Sequence, residues 1–150
     1  MKPADIRAAR ATDIDTIETI VKNAYAPYVE RIGRQPAPMT DDYVRLVEAG
    51  NVWVICVDNV VAGLIVLQDH SDHIFVDNVA VMPAYHGQGL GQQLLDHAAA
   101  YARQRRVHEL RLYTNEKMHE NLALYVKLGW REYDRAEQNG FNRIFMYKSL

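Results

Sequence analysis

Cysteine is nearly absent from this sequence, because Cys56 is the only one in 150 residues. A single cysteine cannot form an internal disulfide, and we therefore expect a reducing, cytoplasmic location. The sequence also lacks any apolar run near the roughly 20 residues that a helix needs to cross a bilayer. Its first residues lack the apolar core of a signal peptide. These absences predict a protein with no membrane partner.

An excess of basic charge is also missing, as are metal-ligand patterns. Seventeen Lys and Arg stand against 19 Asp and Glu, a formal net charge of −2. No basic stripe of the kind that binds nucleic acids is visible. The six histidines form no HExxH motif, and the closest pair, His70 and His73, has no cysteine partner. We expect neither a nucleic-acid partner nor a metal ion.

The abundant residues are those of an ordinary globular protein. Hydrophobic residues make up 49% of the chain, which is enough for one core without disulfide or metal staples. No repeat, low-complexity tract or linker divides the sequence. Residues 1–150 are therefore predicted to form a single domain.

Turn residues divide the chain into short elements. A strand is predicted at 6–8, followed by a helix that begins at Thr12, with Asp15 as its capping partner, and ends near Pro27. After a loop at 31–39, Thr40 is predicted to cap a second helix that ends at Gly50. The remaining elements are strands at 52–57, 60–67, 74–81, 110–114, 130–133 and 143–148, and helices that start near 90 and 122. The order β-α-α-β-β-β-α-β-α-β-β predicts a mixed sheet covered by helices.

A glycine-rich turn joins the third long strand to the next helix. Glycines let the backbone approach a ligand, and the helix N-terminus offers free N–H groups to an anion such as a phosphate. A Walker loop would need Gly-Lys-Ser/Thr, and the dinucleotide fingerprint would need glycine at Gln92. Neither motif is present. The alternative interpretation is a turn that only caps a helix.

Two motifs together resemble a known family. The segment from His86 to Gly91 resembles motif A of the GNAT superfamily of N-acetyltransferases, Gln/Arg-x-x-Gly-x-Gly/Ala, with histidine where the family usually has glutamine or arginine. Residues 115–130 resemble that family's asparagine followed by a helix ending Leu-Tyr-x-x-x-Gly-Phe, here matched by Tyr125, Gly129 and Trp130. The resemblance implies an α/β (mixed α+β) fold with a central mixed, mostly antiparallel sheet of six to seven strands and about four flanking helices.

The same resemblance implies acetyl-CoA as cosubstrate, bound where two neighbouring parallel strands splay apart. The backbone of the strand before the loop would bond the pantetheine arm, with an N–H of Ala80 or a neighbour facing the thioester oxygen. The loop would hold the diphosphate, and Asn115 or Asn121 would fill the role of the family's asparagine. The implied cofactor-binding residues are Val79, Ala80, Val81, His86, Gly87, Gln88, Gly89, Leu90, Gly91, Gln92, Asn115 and Asn121.

Acetyl transfer to an amine needs a base and an acid, because an alkyl amine with a pKa of about 10.4 is mostly protonated at neutral pH and the departing thiolate needs a proton. The resemblance gives the acid role to Tyr125, whose alternative is a core aromatic. Asp77 is the candidate base, although it could be a structural carboxylate. Tyr113, the histidines at 70 and 73, and water are other candidates for this role. Cys56 lies mid-strand and is interpreted as a buried core thiol.

The acceptor side is predicted from the first two helices and the facing strand. Tyr25, Tyr28, Arg31 and Tyr113 are the candidate acceptor contacts, with packing and solvation as the alternative interpretation. The predicted function is direct transfer of an acetyl group from acetyl-CoA to a primary amine of a small molecule or peptide, in a chain that could form a homodimer. A non-catalytic acyl-CoA-binding module and a nucleotide-binding protein remain as alternatives.

Overall fold

The computed structural model describes residues 4–150. Within them the chain forms seven strands and four α-helices in the predicted order. None of the helices described is both long enough and apolar enough to cross a bilayer. The elements are β1 (Asp5–Ala8), α1 (Ile14–Ile32), α2 (Tyr43–Glu48), β2 (Val52–Val57), β3 (Val60–Asp69), β4 (Ile74–Val81), α3 (Leu90–Gln104), β5 (Glu109–Asn115), α4 (His119–Lys127), β6 (Arg131–Gln138) and β7 (Phe141–Ser149).

All seven strands form one sheet in the order β1-β2-β3-β4-β5-β7-β6. Every neighbouring pair is antiparallel except β4 and β5, which are joined by the α3 crossover. These two strands are paired at only two positions, Ile74 with Leu110 and Phe75 with Arg111, and beyond them they separate. The mixed, mostly antiparallel sheet and the splayed strands confirm the predicted fold class.

A β-bulge at Asp77 reverses the faces of β4. Val66 of β3 pairs with Asn78 whereas the next residue, Leu67, pairs with Val76, so Asp77 is the extra residue. Before the bulge, Val76 packs in the core beside α3 and α4. After it, Ala80 packs in the core beside α1. The bulge therefore places two adjacent polar residues at the point where β4 leaves β5.

Each face of the sheet carries its own core. Helices α1 and α2 cover one face, where Ile17, Ile20 and Tyr43 pack against Val54 and Leu64. Helices α3 and α4 cover the other face through a second set of buried residues, including Leu94, Ala98, Leu112, Tyr125 and Trp130. Cys56 is 8% exposed in the first core, which confirms its interpretation as a core thiol.

The first helix does not end at Pro27 as predicted, but continues to Ile32. Proline removes the hydrogen bond to the carbonyl four residues earlier, which here belongs to Asn23. Both residues are exposed, so water can bind that carbonyl. The opposite side of the helix stays anchored, since Tyr25 is buried against β4.

The predicted helix caps are also corrected. Thr12 lies inside a short 3-10 turn, and Asp13 is the residue that precedes α1, with its carboxylate held by Arg7 at 2.7 Å. Thr40 likewise ends a 3-10 turn. Asp42 caps α2 by accepting the Arg45 N–H at 3.2 Å.

Candidate functional site

The free edge of β4 offers backbone groups to the gap beside β5. The Met82 N–H donates to Ala62 on β3 at 2.8 Å, and the Ala80 carbonyl lies 2.8 Å from the point where a Cβ on Gly63 of β3 would stand. Alternate residues of an antiparallel strand direct their N–H and C=O groups to the same neighbour. Val79 and Val81 therefore face the gap, whereas the Ala80 N–H points away from it.

The glycine loop stands at the end of this edge. Gly87 and Gly89 have φ values of +81° and +76°, and Gly89 is the left-handed residue that starts α3. The first N–H groups of a helix have no acceptor within it and carry the positive end of its dipole. The His86 imidazole folds back and donates from Nε2 to the Val81 carbonyl at 3.1 Å.

The glycine at position 91 borders open space beside the loop. Gly91 lies in the first turn of α3, where alanine would favour the helix more. A Cβ there would meet no protein atom within 4 Å, so internal packing does not require glycine. The space is part of a groove with a cavity volume of about 580 Å³. Open glycines beside free N–H groups suit a diphosphate.

This groove runs between the loop on one side and helices α1 and α4 on the other. One wall consists of Val79–Val81, of the loop and first turn of α3 from Tyr85 to Gln92 without Gln88, and of Leu95. The facing wall consists of Ala24 and Tyr28 from α1, residues of α4, and Leu128. A second, smaller pocket of about 60 Å³, called the inner pocket below, is lined by residues 36–38, the middle of β4, the end of β5, and β7. Four residues line both the groove and the inner pocket: Tyr25, Val79, Asn121 and Tyr125.

Tyr125 stands at the junction of the groove and the inner pocket. It is 7% exposed, and its ring packs edge-on against Trp130 with centroids 5.7 Å apart. Burial raises the pKa of its phenol, so the group stays protonated at neutral pH. Across residues 4–150 its hydroxyl forms no hydrogen bond, which leaves its proton available to a bound molecule.

The carboxyl group of Asp77, which lines the inner pocket, has a raised pKa. Burial, followed by the charge of Asp41 and a hydrogen bond between the two side chains, raises the pKa of Asp77 to about 7, while the Arg143 guanidinium opposes this rise. Burial also raises the pKa of Asp41. The pair therefore carries a net charge near −1 below the pKa of Asp77, when one proton is shared by the two carboxyls, and approaches −2 above it.

A buried chain of hydrogen bonds fixes the wall of the inner pocket. The Tyr25 hydroxyl donates to Asn78 Oδ1 at 2.6 Å, Asn78 Nδ2 donates to the Tyr43 hydroxyl at 3.0 Å, and that hydroxyl donates to the Pro38 carbonyl at 2.5 Å. Burial raises the pKa of both phenols. This network ties α1, β4 and α2 to the loop at 36–38, which is a rigid arrangement for a binding site.

A comparison of the sequence with known families agrees with this geometry. A model of the acetyltransferase (GNAT) family matches residues 17–130, which is 114 of the 150 residues. The chain belongs to the GNAT family. Its groove corresponds in place to the gap that this resemblance predicts for acetyl-CoA.

Solved structures share the GNAT fold over the whole described chain. The PaiA N-acetyltransferase of Thermoplasma acidophilum, in complex with coenzyme A, has a TM-score of 0.79 at 16% identity, covering 99% of this chain and 100% of that one. The ribosomal-protein-S18-alanine N-acetyltransferase of Escherichia coli has a TM-score of 0.75 at 23% identity, with 98% and 94% covered. Naa50 of Arabidopsis thaliana, in complex with the bisubstrate analogue CoA-Ac-MVNAL, has a TM-score of 0.73 at 16% identity, with 98% and 99% covered.

Most of the cofactor residues expected of a GNAT protein line the groove here, with two exceptions. Gln88 is exposed and is not part of its wall. Asn115 lines the inner pocket instead, and its Oδ1 accepts the Lys117 N–H at 3.0 Å. Asn121 lines both cavities. Those that line the groove are Val79, Ala80, Val81, His86, Gly87, Gly89, Leu90, Gly91, Gln92 and Asn121.

The four candidate acceptor contacts divide between different places. Tyr25 and Tyr113 line the inner pocket. Tyr28 lines the groove, and its hydroxyl donates to Glu120 at 3.4 Å. Arg31 lines neither cavity, because its guanidinium binds Glu120 at 2.9 Å and the Lys117 carbonyl at 3.0 Å. Arg31 thus ties α1 to α4.

Sequence reasoning missed three polar residues of this GNAT site. Asn78 had a signal, since two adjacent polar residues interrupt an otherwise apolar strand and indicate a bulge. Arg143 and Asp41 had none, because each reaches the site only through tertiary contacts with elements distant in sequence. Together with Asp77 they set the charge of the inner pocket.

Proposed function

We propose that this protein transfers the acetyl group of acetyl-CoA to a primary amine of a small molecule by direct attack on the thioester. The observation that carries the proposal is the protonated phenol of Tyr125 at the junction of the groove and the inner pocket. A donor bound in the groove and an acceptor bound in the pocket would meet at this residue.

Three groups near the junction have separate roles in the proposed reaction: a base, a donor to the thioester oxygen and an acid. Asp77 takes one proton from the acceptor ammonium, and the neutral amine then attacks the thioester carbon, so that a C–N bond forms as the C–S bond breaks. The Val79 N–H faces the gap and is placed to stabilise the oxygen of that carbonyl. Tyr125 gives its proton to the departing thiolate and regains one from the nitrogen, while Asp77 releases its proton to water.

Direct transfer is supported by the position of the only cysteine. Cys56 is buried in the core beside α1 and lines neither cavity. A covalent acyl-enzyme needs a nucleophile that touches the thioester. The proposed transfer from donor to acceptor therefore involves no cysteine-bound intermediate.

A small acceptor is supported by the size of the inner pocket. Its volume is about 60 Å³, which is less than half of the roughly 150 Å³ of an engineered cavity that binds benzene. The loop at 36–38 closes one side of the pocket and is held by Tyr43. The reacting end of the acceptor is thus a slender aminoalkyl group, and a peptide N-terminus is the alternative that the amine panel below includes.

The decisive variant is Tyr125→Phe, with Tyr133→Phe on the exposed edge strand as the matched control. Phenylalanine keeps the packing against Trp130, and no protein partner of the hydroxyl is lost. We expect Tyr125→Phe to lower kcat by about a hundredfold, in the range of a lost general acid, and to leave the dissociation constant of acetyl-CoA unchanged. Release of coenzyme A thiol with an amine panel and calorimetric binding of acetyl-CoA measure the two effects.

The outcomes separate the candidate functions. A wild-type protein that binds acetyl-CoA but acetylates no amine would be a binding module. Retained turnover in Tyr125→Phe would remove the acid role from Tyr125. Equal binding of acetyl-CoA and ATP would remove the assignment of the groove.

A further inference from the structure

The inner pocket contains a buried guanidinium with no carboxylate partner. Arg143 is 8% exposed, and it forms no ion pair within residues 4–150. Its one hydrogen bond in this part of the chain runs from an Nη atom to Gln138 Oε1 at 2.9 Å. The charge of Asp77 acts on it without a direct ion pair. A buried charge that lacks a bonded counter-ion is costly, so this arrangement points to a ligand.

Aromatic rings fix the orientation of this guanidinium. The Arg143 Cζ atom lies 4.1 Å from the centroid of the Tyr113 ring and 5.5 Å from that of Phe141, and all three residues line the inner pocket. Stacking uses the faces of the guanidinium and leaves its in-plane N–H groups free. Of five N–H donors, one is bound to Gln138. The remaining fork matches a carboxylate.

The same pocket also carries an acidic side chain. Asp77 lines the pocket and is hydrogen-bonded to Asp41. A ligand with only a positive charge would meet the guanidinium unfavourably, and a dianion would meet the two carboxyl groups unfavourably. A molecule with one ammonium and one carboxylate complements both charges.

We propose that the acceptor is an amino acid or another amine that carries a carboxylate, with Arg143 binding the carboxylate while the amine faces Asp77. This inference rests on the proposed function and names the class of its acceptor. The small volume of the pocket limits the link between the two charged groups to a short, slender chain.

The test compares acceptors that differ only in charge. Glycine, β-alanine, 4-aminobutyrate, 5-aminopentanoate and the common α-amino acids are each assayed beside their carboxamides, with 2-aminoethyl phosphate and a tripeptide amide as further arms. The carboxamides of the α-amino acids have the less basic amines. A larger fraction of these amines is neutral at a given pH, so without a contribution from the protein the carboxamides would react faster. We expect at least one carboxylate to exceed its carboxamide in kcat/KM by about thirtyfold or more, as for a desolvated charge pair.

Variants of the guanidinium give the second readout. At pH 9, where Asp77 is deprotonated in both proteins, Arg143→Gln is expected to raise KM for the preferred carboxylate by about thirtyfold while changing that of its carboxamide little. Arg143→Lys should restore part of the preference. Arg135→Gln on the exposed edge strand is the matched control and should change neither. The acetyl-CoA-induced rise in the melting temperature verifies that each variant is folded and binds the donor.

The inference is overturned if the wild type prefers carboxamides, the phosphate or the peptide, or if it acetylates no carboxylate. It is also overturned if Arg143→Gln weakens both members of a pair equally, which would indicate a structural role. In each case, binding of acetyl-CoA and transfer to an uncharged amine still decide the proposed function separately.

Discussion

At the scale of single residues, three charged groups control the inner pocket. Asp77 is held by its burial and by Asp41 at a pKa of about 7, and Arg143 acts in the opposite direction. The phenols of Tyr25 and Tyr113 face the same carboxyl, and their own pKa values are raised, so they are neutral in the working range. The charge state of the pocket near neutral pH is therefore that of Asp77.

This charge state predicts the pH dependence of the reaction. As the base, Asp77 works when deprotonated, so kcat/KM should rise with pH through about 7. Asp41→Asn removes the neighbouring charge, lowers the pKa of Asp77 and moves this limb to lower pH. Arg143→Gln removes a stabilising cation and moves it to higher pH. Rate profiles from pH 5 to 9 measure both shifts.

The control for these profiles is Asp58→Asn in the exposed turn between β2 and β3, where φ is +51° and asparagine is well accommodated. The rise of kcat/KM with pH in this variant should coincide with that of the wild type. Shifts of the same sign in Asp41→Asn and Arg143→Gln, or a flat profile across this range, would take the base role away from Asp77.

The sequence predicted Tyr125 and Asp77 as a pair of candidates, but not the group that tunes Asp77. Tyr125 belongs to a helix-end motif, and its role can be proposed from neighbours in sequence. Asp41 lies 36 positions before Asp77 and meets it only because the Tyr43 hydroxyl and Asn78 hold the loop against β4. No local pattern records such a contact.

At the scale of elements, β4 is the strand that organises the site. Its pairing with β5 stops after Phe75, and its bulge at Asp77 turns the polar residues toward the inner pocket. The same strand leaves the N–H groups of Val79 and Val81 without a partner strand on the β5 side, while Ala80 is paired with β3. Alternation along one strand thus separates backbone groups that are structural from those that are free for a ligand.

This alternation predicts a pattern of amide hydrogen exchange. Acetyl-CoA should slow exchange of the Val79 and Val81 N–H groups, because it would fill the gap that they face. The Ala80 N–H should exchange slowly with or without the ligand, since it already bonds β3. NMR-detected exchange resolves the three positions. Ligand protection confined to Ala80 would reverse the assignment of the strand edges.

The first turn of α3 gives a second prediction at this scale. Gly91→Ala should stabilise the free protein by up to about 1 kcal/mol, because alanine is the better helix former. Its methyl group would enter the groove, and the affinity for acetyl-CoA should fall by about tenfold, equal to about 1.4 kcal/mol. Chemical denaturation and calorimetry measure the two opposite effects.

Ala100→Gly on the exposed side of the same helix is the control. It should destabilise the protein by about 1 kcal/mol and leave the affinity unchanged. If Gly91→Ala binds acetyl-CoA as the wild type does, the diphosphate lies elsewhere.

Element bounds show where sequence patterns suffice. The strands β2 and β4 have the predicted bounds, since turn residues and buried β-branched runs define them locally. The helix α1 runs five residues past Pro27, because solvent satisfies the freed carbonyl on one side while tertiary packing holds the other. Asp13 precedes α1 with its carboxylate bound by Arg7, a contact that no local pattern predicts. Asp42 caps α2 because the 3-10 turn at 37–40 delays the start of that helix.

At the scale of the whole molecule, the two cores share one sheet, and the groove is built from α1, β4, α3 and α4 together. A ligand in the groove therefore binds only the folded chain and stabilises it as a unit. Acetyl-CoA at about 100 times its dissociation constant should raise the free energy of unfolding by about 2.7 kcal/mol and the melting temperature by about 5–10 °C, in a single transition. ATP and NAD at equal concentration serve as ligand controls and should give no comparable rise.

Two glycines of matched geometry make this prediction specific. Gly89 and Gly50 have φ values of +76° and +75°, and a Cβ at either would meet no protein atom within 4 Å. Alanine at either position therefore imposes the same backbone strain, about 1 kcal/mol, and should lower the melting temperature of the free protein similarly. Only Gly89→Ala disturbs the loop at the start of α3, so only this variant should lose most of the rise with acetyl-CoA in differential scanning fluorimetry. An equal loss in Gly50→Ala would mean that the rise reports general stability, and a full rise in both would place the donor outside the glycine loop.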